Sequence, residues 1–189
     1  MSSHDVLVTL GANNKDRSKN DLYVTSDVAI DGLLDREQFN KDVWECACGL
    51  GNISEKLKTK NYNVLSTDLC DYGYKYQDKV QDFLTCDREF AGDIITNPPY
   101  KLALPFVKHA LNCVKDGSKV AMFLRIQFLE GIERQRFFAD NPPHTVYVFS
   151  KRVSCCRPEL DIDKVVSAMC FCWFVWVKGF KGAPQIKWI

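Results

Sequence analysis

One octapeptide, Asp93–Tyr100, constrains this chain more than any other: an apolar strand-like run, Asp-Ile-Ile-Thr, ends abruptly in Asn-Pro-Pro-Tyr. Two adjacent prolines fix their own φ angles and remove two N–H donors. The side-chain carbonyl of Asn97 and the backbone carbonyl of Pro98 are left as hydrogen-bond acceptors, and Tyr100 adds a stacking face. An amine conjugated with an aromatic ring is a poor nucleophile, and two carbonyls that accept its hydrogens would free its lone pair. The octapeptide therefore suits methyl transfer to nitrogen.

Length and composition favour one globular domain. The chain has 189 residues, of which 46% are hydrophobic, enough for one well-buried core and few for two. We expect residues 1–22 to form a flexible N-terminal arm and residues 23–189 a single domain without a separate target-recognition domain. The longest apolar run, residues 168–177, is too short to span a bilayer, which takes about 20 residues. There is no secretory signal pattern, so we expect a protein of the cytoplasm with no membrane contact.

Charge is distributed unevenly, although the net charge is only +1. Residues 1–100 carry 11 Lys and Arg against 17 Asp and Glu, whereas residues 101–157 carry 10 against 4. The basic segment begins directly after the octapeptide. It would suit a polyanion approaching from that side, or it is a solvated helical face.

Strand-like and helix-like segments alternate along the chain. Such alternation predicts an α/β fold with a mostly parallel sheet and helices on both faces. The last two strands resemble an antiparallel closing pair. The pattern predicts helices over 27–36, 54–60, 103–115 and about 130–139, and strands over 42–46, 63–67, 93–96, 119–124, 145–149 and 169–177.

Acidic residues fall where predicted strands end, the edge at which parallel sheets bind ligands. The strand 42–46 carries Glu45 and turns through Gly49 and Gly51, which allow a ligand to approach the backbone closely. An acid there suits a cationic or hydroxyl-bearing ligand. Asp68 ends the next strand, where a carboxylate can accept both hydroxyls of a ribose. Further on, Asp82 can accept an adenine amino hydrogen beside an aromatic ring.

With these motifs in this order, the sequence resembles the class I, S-adenosylmethionine-dependent methyltransferases, and within them the small phage and prophage enzymes that methylate adenine at N6 in DNA. The resemblance extends from about Asn20 to the end of the chain. Residues 20–26, Asn-Asp-Leu-Tyr-Val-Thr-Ser, are similar to that group's Tyr-x-Thr-Pro segment, with Ser26 in place of the proline. A mostly parallel sheet of seven strands is the fold that the resemblance implies.

The resemblance also implies roles for particular residues. Asn97, Pro98, Pro99 and Tyr100 would be catalytic. Tyr23 and Thr25 would contact the methionine end of the cofactor S-adenosyl-L-methionine, the glycine motif would line its methionine and ribose region, and the later acids would bind its ribose and adenine. The full set of expected cofactor-binding residues is Tyr23, Thr25, Glu45, Cys46, Cys48, Gly49, Gly51, Asp68, Leu69, Asp82, Phe83 and Asn97.

The implied partner is DNA, in a bacterial host or a phage-infected cell. An adenine inside a duplex cannot reach such a site, so the base must flip out and stack on Tyr100. Candidate contacts to nucleic acid are Lys101, Arg125, Lys151 and Arg152. Because no separate recognition domain fits, recognition would have to come from the N-terminal arm, residues 125–165, a second subunit in a homodimer or a specificity partner. We therefore predict relaxed or very short sequence specificity.

Alternatives remain open at this point. Adenine in RNA and the glutamine amide of a protein are planar amines that suit the same acceptors, and a non-catalytic nucleic-acid-binding module could retain the cofactor fold. A second Asn-Pro-Pro run, Asn141–Pro143, follows a predicted helix and precedes a strand, so we interpret it as a turn. The nine cysteines include no C-x-x-C pair, which favours buried strand thiols over a metal site.

Overall fold

Strands and helices alternate along most of the chain, as the hydrophobic pattern predicts. The computed structural model describes residues 7–8, 22–162, 166–167 and 169–189. The predicted N-terminal arm, residues 1–22, lies outside the described residues except for Leu7, Val8 and Leu22.

The helices are α1 (Asp27–Leu34), α2 (Asn52–Thr59), α3 (Ala103–Cys113) and α4 (Ile132–Asp140). The strands are β1 (Leu7–Val8), β2 (Val24–Thr25), β3 (Asp42–Glu45), β4 (Asn63–Asp68), β5 (Lys79–Val80), β6 (Asp93–Thr96), β7 (Lys119–Arg125), β8 (Thr145–Val148), β9 (Cys155–Cys156), β10 (Val166–Ser167), β11 (Phe171–Val177) and β12 (Gln185–Trp188).

The central sheet has the order β12-β8-β11-β7-β6-β3-β4-β5. Within it β11 runs antiparallel to both β7 and β8, and the other pairings are parallel. The predicted α/β class, the mostly parallel sheet and the antiparallel pair near the end of the chain are confirmed.

The number of strands differs from the expectation, since the sheet has eight and not seven. The sequence predicts neither of the two outermost strands of the sheet: β5, which pairs in parallel with β4, and β12, which pairs in parallel with β8. All six residues of these two strands are exposed. A short exposed edge strand lacks a buried face and hence the apolar alternation that would have revealed it.

Two apolar cores lie on opposite faces of the sheet. On one face, α3 buries Phe106, Val107 and Ala110 against strand residues that include Trp44 and Met122. On the other, α1 and α2 contribute a second set that packs on alternate residues of the same strands: Ala29, Ile30, Leu33, Ile53 and Leu57. Because successive strand residues point to opposite faces, each buried strand needs apolar residues at nearly every position. The near-continuous apolar runs of β7 and β11 follow from this.

The parallel strands all end at one edge of the sheet. Glu45 of β3, Asp68 of β4 and Thr96 of β6 are the last residues of their strands. A separate short pair, β2 with β9, sets Thr25 opposite Cys155 in antiparallel register. These strand ends and this pair position the site described next.

Candidate active site

A cavity of about 440 Å³ opens at the carboxyl edge of the parallel strands. Its volume falls in the range typical of small-molecule sites. Eleven of the twelve residues expected to bind a cofactor line it, and Gly51 does not. Those eleven are Tyr23, Thr25, Glu45, Cys46, Cys48, Gly49, Asp68, Leu69, Asp82, Phe83 and Asn97.

Glu45 is the most unusual acid of the cavity. Its side chain is fully buried, and burial raises its pKa to about 8. The Ala47 N–H donates to Oε1 at 3.2 Å, whereas Oε2 has no hydrogen-bond partner among the described residues. With its pKa at about 8, the carboxyl group is mostly protonated near pH 7, and a cationic ligand that donates to Oε2 would favour its ionised form.

Asp68 orders the loop that follows β3. Its two carboxylate oxygens accept from the N–H groups of Gly49, at 2.8 Å, and Cys70, at 3.1 Å. Burial raises the pKa of Asp68, and these backbone donors partly oppose the rise. Gly49 adopts a φ of 52°, in the left-handed region that favours glycine. Each oxygen of Asp68 retains a lone pair that a ligand hydroxyl could use.

Gly51 has a packing role. It is the N-cap of α2 at a φ of 87°, and a side chain there would collide with the ring of Tyr74. The second glycine of the motif therefore admits Tyr74 and does not face the cavity.

Asp82 and Phe83 form the far wall of the cavity. Asp82 caps a 3-10 helix at Phe83–Thr85, since its Oδ1 accepts from the N–H of Leu84 at 2.9 Å, and the side chain also lines the cavity. Phe83 is buried with its ring edge-on to Trp44, at 5.2 Å between centroids. An exposed carboxylate beside a fixed aromatic ring is suited to a planar ligand that carries an amino group.

Asn97 is held by two side chains from distant parts of the chain. Its Nδ2 donates to Thr25 Oγ1 at 3.0 Å and to Cys155 Sγ at 3.5 Å. Both of these bonds use the amide nitrogen as donor. Asn97 and Pro99 line the cavity, whereas Pro98 is buried behind them.

Tyr100 does not line the cavity and packs beside it. Its ring stacks on Tyr23, with centroids 5.8 Å apart and planes 28° from parallel, and contacts Phe171 at the same centroid distance. Its hydroxyl oxygen lies 3.1 Å from Cys155 Sγ. Burial, followed by the neighbouring Cys155, raises the pKa of Tyr100 well above its usual value. The ring is therefore fixed in place as a neutral phenol.

The expected nucleic-acid contacts are placed differently from one another. Lys101 is exposed and lines the cavity. Arg125 lies with its guanidinium carbon 4.9 Å from the Tyr100 ring centroid, and its buried Nε has no hydrogen-bond partner among the described residues. Lys151 and Arg152 are exposed on the segment between β8 and β9 and do not line the cavity.

Several residues at the site carry no signal in the sequence. Cys155 was one cysteine among nine, and only the pairing of β9 with β2 brings it to Asn97 and Tyr100. Apolar and polar wall residues were also missed, because nothing local distinguishes them from other core or surface positions. These are Leu22, Ala47, Leu50, Asn52, Ile53, Tyr72, Leu84, Leu102 and Phe106.

The described part of the chain holds neither a candidate metal-binding cluster nor a candidate membrane-spanning helix. Within residues 22–162 and 169–189, no cluster of three or more His, Cys, Asp or Glu side chains could hold a metal ion. None of the helices among these residues is both long and apolar enough to cross a bilayer. All nine cysteines are reduced thiols, and six of them are buried.

Comparison with known proteins identifies the fold. No protein-family model matches the sequence, and no curated protein matches it. Solved structures do match. A candidate RNA methyltransferase from Pyrococcus horikoshii has a TM-score of 0.54 at 13% identity over 81% of this chain and 80% of its own.

Two further structures show the same similarity. A TehB-like S-adenosylmethionine-dependent methyltransferase from Corynebacterium glutamicum has a TM-score of 0.54 at 15% identity, over 79% of this chain and 86% of its own. A type I restriction-modification methyltransferase subunit from Streptococcus thermophilus has 0.55 at 13%, over 80% of this chain. This chain spans only 43% of that subunit. At such identities the similarity establishes the fold alone, and the chain has the class I methyltransferase fold.

Proposed function

We propose that this protein transfers a methyl group from S-adenosyl-L-methionine to the exocyclic N6 amine of adenine in DNA. One observation carries the proposal: Asn97 and Pro99 line the same cavity as Glu45, Asp68 and Asp82. A planar-amine acceptor site thus adjoins a set of acids suited to a nucleoside with a cationic tail. That combination fits methyl transfer better than hydrolysis or simple binding.

The residues present fit the cofactor. Glu45 offers a buried carboxyl oxygen, without a partner among the described residues, to the cationic amino-acid end, whose charge would favour the ionised form of Glu45. Asp68 has lone pairs for the ribose hydroxyls. Asp82 and Phe83 would take the adenine amino group and ring face. When bound, the cofactor supplies a methyl group on a positively charged sulfur, already activated for displacement. The chain need only orient the acceptor and exclude water.

The acceptor amine would be held by Asn97 and Pro98. Because Thr25 and Cys155 engage the Asn97 amide nitrogen, the side-chain oxygen is the group left to accept a hydrogen from the amine. The Pro98 carbonyl would accept the second hydrogen. Tyr100 would stack on the extruded base, which replaces part of its present contact with Tyr23.

DNA is the substrate that the observations favour. Residues 101–157 are basic and follow the site directly, and two of the basic residues, Lys101 and Arg125, lie at the cavity or on Tyr100. Proteins of the same fold include methyltransferase subunits of type I restriction-modification systems. RNA is the second candidate, since another protein of this fold is described as an RNA methyltransferase.

The test is transfer of a labelled methyl group from S-adenosylmethionine to DNA, RNA and protein in parallel, with nucleoside and amino-acid analysis of the products. We expect N6-methyladenine in DNA, absent with the Asn97→Ala variant. Label in RNA or in a glutamine amide would support methyl transfer to nitrogen but would identify a substrate other than DNA. Cofactor binding by calorimetry without label in any polymer would contradict the proposal and favour a non-catalytic module.

Sequence specificity is tested in the same assay. A library of DNA duplexes covering all short contexts around adenine should be methylated at many of them or at a very short site. Strict modification of a site of six or more base pairs by the isolated protein would contradict that expectation.

A further inference from the structure

The two cysteines of β9 differ in their contacts. Both side chains are fully buried. The sulfur of Cys155 lies 3.1 Å from the Tyr100 hydroxyl oxygen and 3.5 Å from Asn97 Nδ2. The neighbouring Cys156 instead has its sulfur 3.9 Å from the carbonyl oxygen of Leu160. Because successive strand residues point to opposite sides, only one thiol of the pair can face the octapeptide.

The pairing of β9 with β2 places two side chains against the Asn97 amide. Cys155 is directly opposite Thr25 in the antiparallel register, so the two side chains lie on the same side of the pair. Thr25 Oγ1 accepts from Asn97 Nδ2 at 3.0 Å. The Asn97 amide thus meets a hydroxyl and a thiol from two segments far apart in sequence, and each limits its rotation.

The thiol suits this position chemically. Burial raises the pKa of Cys155 to about 11, so the group is neutral and protonated near pH 7. A neutral thiol can accept from the Asn97 amide while sharing a hydrogen with Tyr100. It does so without placing a negative charge beside the acceptor amine.

We propose that Cys155 is a positioning residue for methyl transfer, which orients the Asn97 amide and the Tyr100 ring so that the Asn97 side-chain oxygen faces the acceptor amine. The proposal rests on the proposed function and adds a residue to it. The thiol does not itself touch the substrate or the cofactor, since Cys155 is not among the residues that line the cavity.

The kinetic test compares Cys155→Ala, Cys155→Ser and Cys156→Ala. Loss of a net hydrogen bond of about 1 kcal/mol corresponds to about a fivefold change. We expect Cys155→Ala to lower kcat about fivefold with an unchanged Kd for the cofactor, and Cys155→Ser to recover most of that loss because a hydroxyl keeps both contacts. Cys156→Ala is the matched control and should retain the wild-type kcat. Equal kcat values for Cys155→Ala and Cys156→Ala would overturn the proposal.

A second measurement does not depend on turnover. In protein labelled with ¹⁵N-asparagine, the side-chain amide signal of Asn97 is the one missing from Asn97→Asp. We expect that signal to shift in Cys155→Ala and to stay in place in Cys156→Ala. If the wild type methylates no polymer, the proposed function fails, and the amide signal alone then decides the role of Cys155: no shift refutes it, and a shift supports it.

Discussion

The chain contains two Asn-Pro-Pro runs, and the structure places one at the carboxyl ends of the parallel strands and the other at their amino ends. Asn97–Pro99 follows the carboxyl end of β6, whereas Asn141–Pro143 follows α4 and leads into the amino end of β8. Since β7 and β8 both run antiparallel to β11, β8 is parallel to β7 and β6. The second run, for which the sequence predicts a turn, thus connects α4 to the amino end of β8 on the side of the sheet away from the cavity.

Their surroundings differ as much as their positions. The Asn97 amide donates to Thr25 and Cys155 at the cavity wall. At the second run, the backbone carbonyl of Asn141 accepts from the Trp176 indole N–H at 3.2 Å, and Pro142 and Pro143 are buried. In both places the two prolines make the backbone rigid. Only at the carboxyl ends of the strands, where acids from neighbouring strands converge, can such a rigid segment form part of a ligand site.

Replacing the asparagine of each run gives the sharpest contrast. We expect Asn97→Ala to lower kcat about 100- to 1000-fold, the range for loss of one group that stabilises developing charge. The Kd for S-adenosylmethionine should change little, because the cofactor is held mainly by the three acids. Label transfer under saturating substrate and calorimetry separate the two effects.

Asn141→Ala is the matched control for that change. Its backbone contact with Trp176 survives the substitution, so activity should stay close to that of the wild type. Similar losses of kcat in both variants would mean that position in the sheet does not distinguish the runs.

Glu45, at the end of the neighbouring strand β3, should make the free energy of unfolding depend on pH. In the unfolded chain Glu45 loses its proton near its ordinary pKa of 4.5, and in the folded protein near 8. The folded state binds more protons in between, so stability falls as pH rises, by about 2 kcal/mol from pH 6 to pH 8. Urea denaturation at both pH values should show this fall in the wild type and its absence in Glu45→Gln.

The control for that measurement is Glu130→Gln, which changes an exposed carboxylate. This variant should keep the pH dependence of the wild type. An unchanged dependence in Glu45→Gln would show that the buried carboxyl does not carry it.

Substitution of Asp68, at the end of β4, tests whether that strand end binds the cofactor. Asp68→Asn removes a charged acceptor for a ribose hydroxyl, and a hydrogen bond to a charged group lost in this way weakens cofactor binding about tenfold or more. Calorimetric titration with S-adenosylmethionine measures the change. Asp71→Asn is the control, since the exposed Asp71 accepts only locally from Gly73 at 2.8 Å. Unchanged affinity in Asp68→Asn would remove Asp68 from the ribose site.

Replacing one basic residue near each run should give the smallest difference between the two sites. Arg125 lies on Tyr100 of the first site, whereas Lys181 donates to the Asp140 carbonyl beside the second run. Removing one phosphate contact reduces the slope of log affinity against log salt by about 1. DNA titrations over a range of salt should show that reduction in Arg125→Ala and not in Lys181→Ala. Equal slopes would place Arg125 outside the DNA contact.

Sequence reasoning located the strand ends because each is marked within a few consecutive residues. A strand-like segment ends at Glu45, at Asp68 and before Asn97, and the parallel sheet brings such ends together. The same reasoning missed β5 and β12, whose exposed residues carry no apolar alternation. It also assigned Gly51 to the ligand, although that glycine admits the ring of Tyr74.

The sequence by itself determined the α/β class, the order of most elements and the rigid Asn-Pro-Pro-Tyr turn, because these depend on periodicity and on the local geometry of proline. Only the tertiary structure decided which of nine thiols reaches Asn97, that Tyr100 stacks on Tyr23 and that Glu45 is buried without a second donor. Those facts depend on contacts between residues distant in sequence, and burial changes the pKa of a carboxyl only once the surrounding chain has removed water from it.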